Sequence, residues 1–300
     1  MGEVLSLFSA FFWSCAVIIF KQIGDKVSPI IINTFKNLLN VFLIFLTIIL
    51  LGQNPFTIPD IFTKNDIIVL IISGMIGLGI ADILFLKSLN IVGAGISALV
   101  DIMYSPFVLF FAFILLGEKL LFLQIIGGIL IFGSIIFASM KMQNIPVDRN
   151  QLLKGILIGV SALAMMAFCI VWIKPILDKT SETSNHLWIA GFRMIPGVIT
   201  PLIISIFYFS KNDIKNIFKD TFIIKPLVVG AVFATYLGIS FWIVGMAHTK
   251  ASVAAILNQT ASFFILILAR IFLKELITPR KTLAIGVASF GAVLILIGGK

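Results

Sequence analysis

Long apolar stretches follow one another from the first residue to the last, separated by short polar breaks. They cover approximately residues 2 to 20, 30 to 51, 67 to 86, 95 to 116, 121 to 140, 155 to 173, 187 to 209, 226 to 247, 252 to 273 and 282 to 298. A bilayer core about 30 Å thick takes roughly 20 consecutive apolar residues per helix, which is the length of these stretches. Barrel strands are about 10 residues of alternating polarity, whereas these runs are longer and apolar on every side. The pattern therefore predicts an all-α integral membrane protein with ten transmembrane helices.

The breaks repeat. "LLGEKLLFLQIIGGILIFG" around Glu118 has a counterpart in "FLKELITPRKTLAIGVASFG" around Glu275. Sliding the chain by 157 residues lays Glu275 over Glu118, Ala251 over Ala94, Phe192 over Phe35 and Arg193 over Lys36 without a gap. One added residue after the glutamate then lays Gly286 over Gly128 and Gly291 over Gly133. The chain thus divides into repeat 1 (residues 1–143), a polar linker (144–152) that contains "NIPVDRNQ", and repeat 2 (153–300). Five helices is an odd number, so the second copy is expected to enter the membrane from the opposite side. Inverted repeats of this kind occur in secondary transporters, where the halves exchange conformations around a central site. Duplication without alternating access is the alternative.

Several short motifs carry a family resemblance. "LGEKL" after the fourth stretch, "QIIGGILIFG" in the fifth, a Trp in the first and a basic residue early in the second and seventh resemble the EamA family of the drug/metabolite transporter (DMT) superfamily. The resemblance runs over nearly the whole chain and implies small-molecule transport, with metabolite and amino-acid exporters among its members. It also implies a multi-pass protein of the plasma (inner) membrane with both termini in the cytoplasm. Loop charge opposes that orientation: six Lys or Arg, at 64, 119, 174, 179, 250 and 300, fall on the would-be cytoplasmic side against thirteen on the other. Two departures from the repeat stand out, with Lys274 in place of the glycine before the glutamate and Phe263 in place of Pro106.

A polar side chain in hydrocarbon needs a partner or water, so polar stripes on one helical face mark candidate sites. The second stretch carries Asn33, Lys36, Asn37 and Asn40 on one face, and Lys36 with its mate Arg193 is a candidate for attracting an anionic substrate group. Snorkelling to headgroups or pairing with a carboxylate is the alternative. The fourth stretch aligns Ser97, Asp101, Tyr104 and Ser105; the mate of Asp101 is Asn258, which shares a stripe with Ala254 and Ser262. Asp101 is a candidate for binding an ammonium or hydroxyl and for carrying a coupling proton, or else a structural acid paired with Lys36 or Lys87. Asp82 is the second proton-coupling candidate, with pairing to another helix as its alternative. Trp13, Tyr104, Tyr236 and Trp242 are candidate cavity aromatics, or core packing. The substrate-binding set is thus Asp101, Tyr104, Asn258, Ser262, Lys36, Asn37, Arg193, Trp13 and Tyr236. Glu118 and Glu275 read as turn residues that accept from backbone N–H groups opening the next helix.

Composition agrees: 60% of the residues are hydrophobic and 12% charged, against about 25% charged in a soluble domain. The net charge of +9 lies mostly at span ends and loops, facing headgroups, so nucleic acid is not an expected partner. The expected partners are a small-molecule substrate and the lipid bilayer. Small residues at Ser73, Gly77 and Ala81, and at Ala284, Ala288 and Ala292, allow close helix approach, within the chain or in a homodimer. Cys15 and Cys169 sit in apolar stretches and read as small hydrophobes, so no disulfide or metal is expected. The first stretch lacks a basic leader and is expected to be retained; "MGEVLS" fits a myristoylation pattern only loosely. No H-E-x-x-H helix, aspartate-rich diphosphate site, nucleophile elbow or Walker A loop is present. The sequence thus predicts a secondary active transporter working in the export direction, with Asp101 and Asp82 as candidates for proton coupling and with no cofactor. A channel or a scaffold is the runner-up, and an intramembrane enzyme comes after both.

Overall fold

The computed structural model describes residues 2–117, 121–139, 148–208, 220–249, 254, 257–258, 260–275 and 278–298. Among the described residues the chain is helical throughout, and its helices fall into ten rods. They are α1 (Gly2–Ile23), α2 (Pro29–Leu50), α3 (Lys64–Val92), α4 (Ala94–Leu116), α5 (Phe122–Ser139), α6 (Arg149–Leu177), α7 (Thr183–Tyr208), α8 (Thr221–Ala247), α9 (Thr260–Phe272) and α10 (Pro279–Gly298). Seven of them, α1 to α4 and α6 to α8, are long and apolar enough to cross a membrane. Their ends carry ordinary capping chemistry. Ser28 accepts from Ile30 N ahead of Pro29, and Thr63 and Asp66 form a reciprocal capping box at the start of α3. Asp66 also accepts from Lys179 at 2.5 Å, which ties the start of α3 to the turn between α6 and α7.

The packing follows the repeat. α2 lies against α7, and α5 against α10. α1 packs on α8 and α9, while α6 packs on α3 and α4, so each half's first helix is seated in the other half's third and fourth. Large apolar side chains such as Phe42, Leu50, Ile206 and Phe207 point outward and are exposed, as expected of helices whose outer face meets lipid. Ala284 and Ala288 are fully buried, and their helix packs on α5, so this part of the small-residue stripe serves packing inside the chain. In α3, Gly74 meets the backbone of Arg193 so closely that a Cβ there would collide with that carbonyl.

Three features depart from plain helices. First, α3 and α8 each widen into a π-helical segment, Gly74–Ala81 and Val232–Ile239, at corresponding positions of the two repeats. A π turn shifts the hydrogen-bond ladder by one residue and frees carbonyls from it. The Leu78 carbonyl accepts instead from Asn33 and Asn37, both at 2.9 Å. Second, α4 breaks at Ile102–Met103, where the ladder tightens to Met103 N–Val100 O at 2.9 Å. Pro106 explains the break, because it has no N–H to give the Ile102 carbonyl. In repeat 2 the position matching Ile102 is residue 259, outside the described residues, and α9 is helical from Thr260 on through Phe263, the residue matching Pro106.

Third, Glu275 serves a helix of the other repeat. Its carboxylate accepts from Ala94 N and Gly95 N, both at 2.9 Å, and so closes the first turn of α4 in the other repeat. That turn begins at Gly93, whose φ of +79° is a conformation that L side chains rarely adopt. Residues 276–277, where a local cap would act, lie outside the described residues, and the contact observed for Glu275 is a clamp between the halves. The two N–H groups opening α4 and the helix dipole both favour a carboxylate there. Glu118 and Lys119 lie outside the described residues.

Candidate functional site

A cavity of about 120 Å³ opens where the π segments of α3 and α8 face each other across α1, α4, α6, α7 and α9. Repeat 1 contributes Ser9 and Trp13 from α1, Gly77, Leu78 and Asp82 from α3, and Asp101 and Tyr104 from α4. Repeat 2 contributes Leu163, Met166 and Ile170 from α6, Arg193 from α7, Ala234, Gly238, Ile239, Trp242 and Ile243 from α8, and Asn258 ahead of α9.

The polar face of α2 sits behind this wall. Lys36, Asn37, Asn33 and Asn40 are buried, and none of them lines the cavity. Lys36 Nζ donates to Asp82 Oδ2 at 2.5 Å and to Asn37 Oδ1 at 3.2 Å. Burying an ammonium or a carboxylate alone costs several kcal/mol, and this contact neutralises both. Asn37 spends its amide donors on the Leu78 and Gly197 carbonyls at 2.9 and 3.0 Å. The Gly197 carbonyl is free because Pro201, four residues on, has no N–H to offer it. Asn37 therefore fills a vacancy left by a proline in α7 and another left by the π turn in α3.

Asp101 and Arg193 are placed differently. Among the described residues neither takes part in an ion pair. Asp101 is buried on the cavity wall with the Trp13 indole within hydrogen-bonding reach of its carboxylate. Lys87, its other imagined partner, is exposed on the outer face of α3. Arg193 Nε donates to Ser73 Oγ at 3.1 Å, which fixes the guanidinium, and one Nη lies beside Gly77. Tyr104 lies within electrostatic reach of both charges and packs edge-on against Trp242, with ring centroids 6.0 Å apart.

Of the residues singled out from sequence, the structure gathers Asp101, Tyr104, Asn258, Arg193, Trp13 and Asp82 on one cavity and leaves Lys36, Asn37, Ser262 and Tyr236 outside it. Tyr236 instead hydrogen-bonds Thr47 at 2.7 Å, joining α8 to α2. The Ser262 hydroxyl is buried and unpartnered, and so is the Asn258 Oδ1 on the cavity wall. The apolar liners Met166, Ile170 and Ile239 were missed, because nothing in an apolar stretch marks one face as lining. The signal was available through the repeat: Met166, Ile170 and Ile239 are the register mates of Ser9, Trp13 and Asp82. His186 and His248, far apart in sequence, come together with ring centroids 5.7 Å apart. No group of three or more metal-ligating side chains forms among the described residues.

Comparison with known proteins fits this architecture. No curated protein matches the chain. A solved structure described only as "Crystal structure of protein" superposes with a TM-score of 0.72 at 13% identity, covering 99% of this chain and 97% of that one, which shows a shared fold. The family model described as "EamA-like transporter family" matches twice, over residues 1–140 and 153–297, one match to each repeat. With both halves accounted for, the chain belongs to the EamA-like transporter family, whose members are multi-pass membrane transporters of the drug/metabolite transporter superfamily.

Proposed function

We propose that this protein is a secondary active transporter that moves a small polar metabolite, such as an amino acid or related compound, outward by alternating access. The observation that carries the reading is a central cavity built from both repeats with Asp101 and Arg193, two charges of opposite sign, unpaired on its wall. Buried charges are left without protein partners where a ligand or water supplies them. The reciprocal seating of α1 and α6 in opposite halves supports two inverted five-helix repeats that rock against each other. The π segments flanking the cavity in both halves give each half a place to flex, since π turns recur at functional sites.

In this mechanism Asp101 receives the cationic part of the substrate or the coupling proton. Asp82, held by Lys36, serves the scaffold first and is exposed to protonation only if that contact opens. The inner membrane, with cytoplasmic termini, is the compartment we assign by family analogy. Reconstituted into liposomes, the protein is expected to give saturable flux of a small metabolite that responds to a pH gradient. Asp101→Asn is expected to abolish the pH response and to slow flux. Linear, non-saturating flux would favour a channel, and chemical conversion of the solute would favour an enzyme. A pH response that survives in Asp101→Asn and Asp82→Asn alike rules out both acids as proton carriers.

A further inference from the structure

The two repeats treat their buried cations differently, and the difference selects a class of substrate. Lys36 and Arg193 are register mates, and so are Asp82 and Ile239. In repeat 1 the cation has its acid, with Lys36 Nζ 2.5 Å from Asp82 Oδ2. In repeat 2 the position that would hold the acid is occupied by an isoleucine, which lines the same cavity as Arg193. The guanidinium is buried, anchored through Nε to Ser73, and its remaining donors have no hydrogen-bond partner among the described residues. The ionisable groups within electrostatic reach of it are Cys169 on α6, Tyr104 on α4 and Asp82 on α3, the last already paired with Lys36. None of these is a free anion.

We infer that Arg193 is a carboxylate subsite, made by the replacement of an internal counter-ion with Ile239, and that the cavity takes small zwitterions whose carboxylate meets Arg193 while their ammonium meets Asp101. The planar guanidinium offers a forked pair of donors that suits a carboxylate, and a fixed Nε leaves the outer edge free to bind one. Asp101 supplies the opposite charge with no cation of its own. A substrate carrying only one charge would leave the other buried charge uncompensated, and that penalty discriminates against simple amines and simple acids. The inference rests on the transport reading only for what happens after binding.

The test uses the full-length protein in detergent micelles. Ligand-induced thermal stabilisation is measured for a panel of neutral α-amino acids, each beside the amine lacking its carboxylate and the acid lacking its amino group. The expected result is stabilisation by members of the zwitterion panel, with each stripped analogue weaker by about 30-fold or more in apparent affinity. Ile239→Asp should remove the response, because the new carboxylate occupies the guanidinium, and should weaken it far more than the comparably sized Ile239→Asn, which changes the cavity wall without adding a charge. A second measurement needs no ligand. Unliganded Ile239→Asp should melt above Ile239→Asn, and the difference should vanish in an Arg193→Gln background. The inference is overturned by amines or acids that bind as well as their zwitterions, by a panel with no response, or by the absence of coupling between positions 239 and 193. If binding and coupling are found but liposomes show no flux, the transport reading fails and the subsite stands.

Discussion

The two halves present different chemistry to the cavity they share. Repeat 1 places Ser9, Trp13, Asp82 and Asp101 on the wall; the mates in repeat 2 are Met166, Ile170, Ile239 and Asn258. Two backbone features, by contrast, are shared by the halves: the π segments correspond, and α1 and α6 are seated alike. Symmetry is kept where motion would need it, in helix geometry and seating, and dropped where recognition would need it, in the side chains. A site with a twofold axis would bind a symmetric ligand best, and a lopsided wall suits an asymmetric one.

The sharpest test of this difference is the cost of removing each buried cation. Lys36→Met leaves Asp82 as an unpaired buried carboxylate and is expected to destabilise the protein by about 3–5 kcal/mol. Arg193→Met removes a charge that has no acid to orphan, so it should cost much less and lower solute binding instead. Thermal unfolding followed by intrinsic fluorescence in micelles compares the two. Adding Asp82→Leu to Lys36→Met should recover most of the loss, because the pair is then replaced by apolar groups. Equal destabilisation by Lys36→Met and Arg193→Met would erase the proposed difference between the halves.

How much of this was legible in the sequence divides along the same line. Helix number and the repeat are written in apolar run length and in the glutamate spacing, both properties of contiguous residues. The site was half legible. Asp101 and Arg193 stand out because charge in hydrocarbon is costly wherever it falls, but the assignment of Lys36 to Asp82 is a contact between helices 46 residues apart. Spacing along one helix does not specify which face meets which neighbour. The π segments gave little warning either, since "GMIGLGIA" and "VFATYLGI" share few residues. Each packs against the second helix of the other repeat, a contact that local sequence does not encode. The clamp made by Glu275 was not legible either, because the N–H groups it serves lie about 180 residues away in sequence.

Glu275 provides the second test, of intermediate size. Its two contacts join the end of α9 to the start of α4, so they hold repeat 2 against repeat 1 on one face of the bundle. Glu275→Gln keeps the shape but replaces one acceptor oxygen with a donor, leaving an N–H of α4 unserved. The expected cost is about 1–3 kcal/mol, with easier separation of the halves at this point. Gly93→Ala should have a similar effect by another route, through its φ of +79° and the proximity of Glu275 Oε1, 3.2 Å from where a Cβ would stand. Cysteines placed at Gly95 and Lys274 report the separation: their crosslinking yield should fall in Glu275→Gln. An unchanged yield and melting temperature would show that the clamp holds nothing.

The smallest effect tests whether Asn37 belongs to scaffold or site. Its side chain serves the Gly197 carbonyl, which Pro201 leaves without a partner, and the Leu78 carbonyl, which Asn33 also serves. Asn37→Leu should therefore cost about 1–2 kcal/mol, most of it from the Gly197 side. Pro201→Ala restores an N–H to that carbonyl, so in its background the cost of Asn37→Leu should shrink by about half or more. A substrate ligand would behave otherwise, since the loss of solute binding on mutating Asn37 would be the same with or without the proline. The cycle is read as thermal stability and as solute-induced stabilisation on the same four proteins. Coupling in stability with no change in solute response places Asn37 in the scaffold, where it links α2 to the π turn and to α7. Loss of solute response in both backgrounds would extend the site behind its present wall and make repeat 1 a still larger share of the recognition surface.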